Sequence, residues 1–156
     1  MESLNNNRNY LLAAEIELIY KNPVKASDRP KISCAKDAYD VLIHSWNQCE
    51  IELREVFKVI LVSRANRVLG IYEVSKGGLT GVTVDIRMIF AAAIKCNASG
   101  VILAHNHPSG QLTPSSADLQ LTQRIKSAGE ILDIPVMDHI IVTSEGFVSF
   151  CMEGIF

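Results

Sequence analysis

The chain has 156 residues, of which 48% are hydrophobic and 21% charged, with 15 Lys and Arg against 17 Asp and Glu. That length suits one domain with one core, and the composition excludes a disordered chain, a collagen and a coiled coil. No apolar run approaches the ~18 residues of a membrane span, and the polar start from Met1 to Arg8 does not read as a secretory leader. The expected location is therefore the cytoplasm. The near-neutral charge hides an asymmetry. Residues 1–53 carry 6 basic and 8 acidic side chains, residues 54–95 carry 7 and 3, and residues 96–156 carry 2 and 6. Ordinary surface scatter is the bland account; a weak basic patch in the middle third and a cation site in the last third are the sharper ones. Cys34, Cys49, Cys96 and Cys151 include no Cys-x-x-Cys pair and read as buried free thiols rather than as disulfides or a zinc site.

In chain order, the first nine residues read as a loose polar tail. Glu15 to Tyr20 alternates as a strand, with Ile16, Leu18 and Tyr20 on one face. Turns follow at Asn22-Pro23 and Asp28-Arg29-Pro30. Ser33 is positioned to cap a helix over 35–47 with Ala38, Val41, Leu42 and Ser45 at helical spacing. The β-branched run 55–62 predicts a buried strand, and Ala65-Asn66-Arg67 turns it into a second strand over 68–74 as an antiparallel hairpin. Gly77, Gly78 and Gly81 read as a turn without the Lys-Ser/Thr of a phosphate loop. A helix over 84–96, a short buried strand over 101–104, a second long helix over 115–132 and strands over 136–143 and 147–150 complete the layout. The fold class is α+β, or mixed α/β: one domain with a mixed sheet flanked by helices.

The densest polar cluster runs from His105-Asn106-His107-Pro108 through a Ser-Gly and Pro-containing loop to Ser115-Ser116-Ala117-Asp118. Residues at i and i+2 of a strand point to one side, and Pro108 keeps His107 extended. Two imidazoles on one face at a strand end can share a metal ion, and Asp118 is the nearest third ligand. Two histidines and a carboxylate suit Zn²⁺, although Fe²⁺ accepts similar ligands. Ser115-x-x-Asp118 is equally a helix-capping pattern, and both roles can hold together. A carboxylate at Glu55, sharing a strand face with Phe57, Val59 and Leu61, must be end-exposed, paired or functional. Of Asp138 and His139, adjacent on one strand, only one can approach the site. It could orient a ligand, although a satisfied core or edge histidine is the plainer reading. His44 reads as surface; Trp46 and Phe57 read as core.

The pattern His105-x-His107-Pro108, six residues, then Ser115-x-x-Asp118 resembles the JAMM/MPN metalloprotease signature. With His105-Asn106-His107-Pro108-Ser109-Gly110 and the later Asp138-His139-Ile140-Ile141-Val142, it resembles the RadC branch of that superfamily over roughly residues 50–156. The resemblance implies one zinc ion per chain held by His105, His107 and Asp118, with Ser115 near the bound water or the developing oxyanion, and a cytidine-deaminase-like sheet. The family's upstream glutamate falls on Glu55, with Glu50 and Glu52 as the neighbouring carboxylates. The implied activity is metal-assisted hydrolysis of a peptide or isopeptide bond, with Glu55 as general base and a peptide or isopeptide-linked protein as substrate. Residues 1–50 read as an extension packed on a 51–156 metal-binding domain. They are too short and strand-like for the helix-hairpin-helix of full-length RadC relatives, and ubiquitin-recognising insertions have no obvious room. Two further readings stand beside the enzyme: a nucleic-acid-binding protein of repair or recombination, and a zinc-bound scaffold without catalysis.

Overall fold

A computed structural model describes residues 19–77 and 82–156. After a 3-10 turn at Ala26–Asp28, its elements are α1 (Ala35–Ser45), β1 (Val56–Val62), β2 (Val68–Lys76), α2 (Ile86–Lys95), β3 (Gly100–Asn106), α3 (Ser116–Ile131), β4 (Val136–Val142) and β5 (Phe147–Ser149). The expected tail and most of the expected first strand, residues 15–18, lie outside the described residues. Tyr20 is not in a strand; its hydroxyl donates to the Leu69 carbonyl at 2.5 Å.

The five strands form one sheet in the order β2-β1-β3-β4-β5. β1 pairs antiparallel with both β2 and β3, β3 runs parallel to β4, and β4 pairs antiparallel with β5. The sheet is therefore mixed, and the chain is an α+β domain. All seven residues of β1 and of β3 are buried, because helices cover both faces. The expected hairpin turn is present. Asn66 takes the left-handed conformation at φ 55°, and its N–H donates to the Ser63 carbonyl at 2.9 Å.

Two cores sandwich the sheet. On one face Phe57, Val59, Leu61, Val101 and Leu103 meet Ile89, Phe90 and Ala93 of α2 and Ile125 of α3. On the other, Ile60, Ile102, Ala104 and Ile140 meet Ala38 and Leu42 of α1, with Trp46 just beyond it. Ala38 and Leu42 of α1 and Ile89, Phe90 and Ala93 of α2 lie at helical spacing on their buried faces. His44 is exposed, and Trp46 and Phe57 are buried.

Two details differ from expectation. Ser33 is not the cap of α1. The helix starts after Cys34, and the Asp37 carboxylate, one turn in, accepts the Ser33 and Cys34 backbone N–H groups at 2.8 and 3.2 Å. The free cysteines are mostly not buried: Cys34, Cys49 and Cys151 are exposed and only Cys96 lies in the core. Those three sit at a helix cap or in turns, where no second layer covers them. The basic excess of residues 54–95 is also largely paired, since Arg54, Lys58, Lys76 and Arg87 each lie within 4.0 Å of a carboxylate.

Near its C-terminus α3 passes close to the chain that leads into β4. A Cβ on Gly129 would lie 2.5 Å from the Ile134 carbonyl oxygen and 3.4 Å from the Phe90 ring. Alanine is the better helix former, yet here the backbone contact decides. Gly129→Ala is expected to destabilise the fold by about 1–3 kcal/mol in chemical denaturation.

Candidate metal centre

His105 is the penultimate residue of the central strand β3 and pairs directly with Phe57 of β1, so both side chains face α2 and α3. Its ring stacks on Phe57 with centroids 6.1 Å apart. Two residues on, the backbone N–H of His107 still follows β4, donating to the Val142 carbonyl at 3.1 Å. Pro108-Ser109-Gly110 then turns the chain. Gly110 is left-handed at φ 78°, and its N–H donates to the His107 carbonyl at 3.0 Å. The turn brings the Gln111 carbonyl to 2.6 Å from His107 Nδ1. That oxygen can only accept, so Nδ1 carries a proton, and Nε2 is the nitrogen that faces Asp118.

The loop ends at Ser115, the N-cap of α3. The Ser115 hydroxyl oxygen accepts the Asp118 N–H at 3.1 Å, and Asp118 Oδ2 accepts the Ser115 N–H at 2.7 Å, closing a capping box. The same carboxylate faces the histidines. Asp118 Oδ1 is 3.2 Å from His105 Nε2, and Oδ2 is 3.6 Å from His107 Nε2. The two Nε2 atoms are 2.9 Å apart. Capping and facing the imidazoles are thus served by one side chain.

These separations suit a metal. Tetrahedral zinc with bonds of roughly 2.0–2.2 Å spaces its ligand atoms about 3.3–3.5 Å apart. Two imidazole nitrogens and a carboxylate oxygen converging at that scale form a donor set that attracts a cation. The group His105, His107 and Asp118 can hold a metal ion, each offering one ligand atom within 4.8 Å of the others.

The electrostatics agree. Burial alone would push the Asp118 carboxyl up, but His105, His107 and Ser115 overcome it and hold Asp118 well below the usual carboxylate range. His107 is raised, first by its hydrogen bond to Asp118, against the opposing effect of burial. Glu55 stands outside the three-residue group. It precedes β1 by one residue and feels the charge of all three. Burial pushes its carboxyl up, His105 pulls it back, Asp118 adds to the rise and His107 opposes it. A carboxylate raised in this way is a stronger base than an exposed glutamate.

Asn106 was not legible as part of the site, and of Asp138 and His139 the sequence left open which one approaches it. Asn106, between the histidines, points to the opposite face. Its Oδ1 accepts the Val56 N–H at 2.7 Å, and its amide donates to the carbonyls of Ile51 at 2.7 Å and Arg54 at 2.8 Å. It therefore fastens the segment that carries Glu55 to β3. Asp138 and His139 do face opposite ways, and His139 is the one that reaches the site: its Nε2 is 2.8 Å from His105 Nδ1. It is at once a fully buried core histidine and a neighbour of His105. Asp138 instead ties β4 down, accepting from the Ser149 hydroxyl at 2.5 Å and the Cys151 N–H at 3.0 Å.

The fold and the site define a mixed α+β domain with a His-His-Asp group at the end of its central strand. Its family is equally plain. The RadC-like JAB domain model matches residues 32–155, and the chain belongs to that family. It is similar to proteins called UPF0758 protein. It is 43% identical over 126 residues to the one from Flavobacterium johnsoniae, which covers 81% of this chain and 54% of that protein. It is 42% identical over 125 residues to the one from Clostridium beijerinckii, 80% of this chain and 53% of that protein. It is 35% identical over 150 residues to the one from Syntrophotalea carbinolica, 92% of this chain and 64% of that protein. The chain spans about half the length of the first two relatives, and their names state no activity. The JAB/MPN superfamily includes metalloproteases, which makes a metal-dependent hydrolase the activity class to test.

Removing the Asn106 side chain would strand three backbone groups in a buried setting. Asn106→Ala is expected to cost about 2–4 kcal/mol in urea denaturation. It should also raise amide hydrogen exchange at residues 51–56 before the rest of the sheet responds.

Proposed function

We propose that the chain is a zinc-dependent peptidase or isopeptidase acting on a peptide or isopeptide-linked protein, with one zinc ion per chain and a cytoplasmic location. The observation that carries the reading is the convergence of His105 Nε2, His107 Nε2 and the Asp118 carboxylate beside a burial-raised Glu55. His105, His107 and Asp118 hold the ion in this reading. When bound, zinc supplies Lewis acidity and makes water acidic near neutral pH.

The chain's own residues do the rest. Glu55 accepts a proton from the attacking water and passes it to the leaving amine. Its raised proton affinity favours the first half of that exchange. The Ser115 hydroxyl, fixed at the head of α3 by its bond from the Asp118 N–H, donates toward the oxyanion that develops on the substrate carbonyl. Gln111 keeps the His107 proton on Nδ1, away from the ion. Asn106 holds the segment that carries Glu55 at a fixed distance from the end of β3.

Metal analysis is the first test. The purified chain, reconstituted with zinc and dialysed, is expected to retain one equivalent, and His107→Ala is expected to lose it. A wild-type chain that retains none would overturn the reading. Activity is tested separately with a panel of peptides and isopeptide-linked conjugates. Glu55→Gln should keep the zinc while lowering hydrolysis by about 10²–10⁴-fold. An unchanged rate would remove Glu55 as the base.

A further inference from the structure

We propose that residues 12–18 of this chain add a strand along the outer edge of β2 and seat Ile16 and Leu18 in the groove between β2 and α2. Neither the metal centre nor Glu55 takes part, so this docking stands apart from the hydrolase reading.

Between β2 and α2 lies a groove of about 460 Å³. Leu61, Gly70 and Tyr72 line it from the sheet, and Met88 and Ala92 line it from the helix. Gly70 keeps it open on the sheet side, since a Cβ there would meet nothing within 4 Å. α2 is apolar beyond what the core uses. Ile89, Phe90 and Ala93 are buried, whereas Met88 and Ala91 stay exposed on a second apolar stripe. The strand beside the groove is also open. β2 pairs with β1 along one edge. Along the other, among the described residues, Lys31 bridges Arg67 and the Val68 N–H donates to the Pro30 carbonyl at 2.9 Å, and from Gly70 to Lys76 no backbone partner follows. An apolar groove beside an open strand edge invites pairing with another strand, and folded chains usually cover such edges.

The occupant is indicated by Tyr20, which lines the groove two residues after this segment. Its hydroxyl and the Asn22 side-chain amide both donate to the Leu69 carbonyl, at 2.5 and 3.0 Å. Leu69 immediately precedes the open stretch of β2. Reading back from Tyr20, the chain enters Leu12-Ala13-Ala14-Glu15-Ile16-Glu17-Leu18. In an extended chain Ile16 and Leu18 share the face of Tyr20, so a continuation from Tyr20 carries them into the groove and turns Glu15 and Glu17 outward. With Tyr20 held at the start of the open stretch, the segment runs antiparallel to β2. Seven residues at roughly 3.4 Å each match the length of the seven residues Gly70–Lys76. Tethered at Tyr20 and Asn22, the segment has an effective concentration on the order of millimolar, which a second copy or a foreign strand must outcompete.

The test is amide hydrogen exchange on the full chain, resolved residue by residue. In the wild type, alternate amides within residues 12–18 are expected to exchange about 10–100-fold more slowly than in an unstructured chain, at every protein concentration. Exchange at the unstructured rate throughout would overturn the docking. Protection that appears only as the chain dimerises would also overturn it and assign the groove to a second copy. The double substitution Ile16→Asp and Leu18→Asp is expected to abolish the protection and to speed exchange at Gly70–Lys76, while β3 and β4 stay unchanged. Gly70→Leu, which fills the groove from the sheet side, is expected to release residues 12–18 as well. A folded Gly70→Leu chain that keeps them protected would place the segment elsewhere and sink the proposal. Should Gly70→Leu fail to fold, the double substitution decides: unchanged exchange at Gly70–Lys76 rejects the added strand.

Discussion

The organising constraint of this protein is the burial of the polar end of β3. A central strand covered on both faces is normally apolar throughout, and Val101 to Ala104 obey that rule. His105 and Asn106 break it at 1% and 0% exposure. Buried polar groups must be hydrogen-bonded, or the fold loses a large share of its stability. The surrounding elements are arranged to meet that demand. β4 brings His139, α3 brings Asp118, and the segment before β1 brings the carbonyls of Ile51 and Arg54. The alternation of the strand sends the two demands to opposite faces, so one strand end organises both sides of the sheet.

The elements were largely legible in the sequence, because apolar periodicity and turn residues agree along most of the chain. The run 55–62, the Asn66 turn and the two long helices lie within a few residues of expectation. So does the group at His105, His107 and Asp118, whose spacing within one strand, one loop and one helical turn is a local property. The double use of Asp118 was legible for the same reason: three residues separate it from the cap it completes.

What the sequence hid depends on long-range pairing. His139 is 34 residues from His105, and only the register of β3 against β4 brings the rings together. Asn106 reads as the residue between two histidines. Its function lies with backbone groups about fifty residues earlier. Lys58 interrupts an apolar strand and sits at 6% exposure, satisfied by the Ser45 carbonyl at 2.8 Å and lying 4.6 Å from the Trp46 ring. The exposed cysteines were misread because composition carries no information on which turns remain uncovered.

The proposed ligands and the proposed base reach the site by different routes. His105, His107 and Asp118 come from one short stretch, whose closure costs little chain entropy. Glu55 arrives from across the β1–β3 pairing, through strand register and the clasp of Asn106. The proposed ion site and the proposed base are therefore separable in inheritance as well as in space. Drift in the segment before β1 would leave a relative that still holds its ion and has no chemistry, with the histidine motif intact. In this architecture the histidine motif carries the proposed ion site, and the other end of the pairing carries the proposed base.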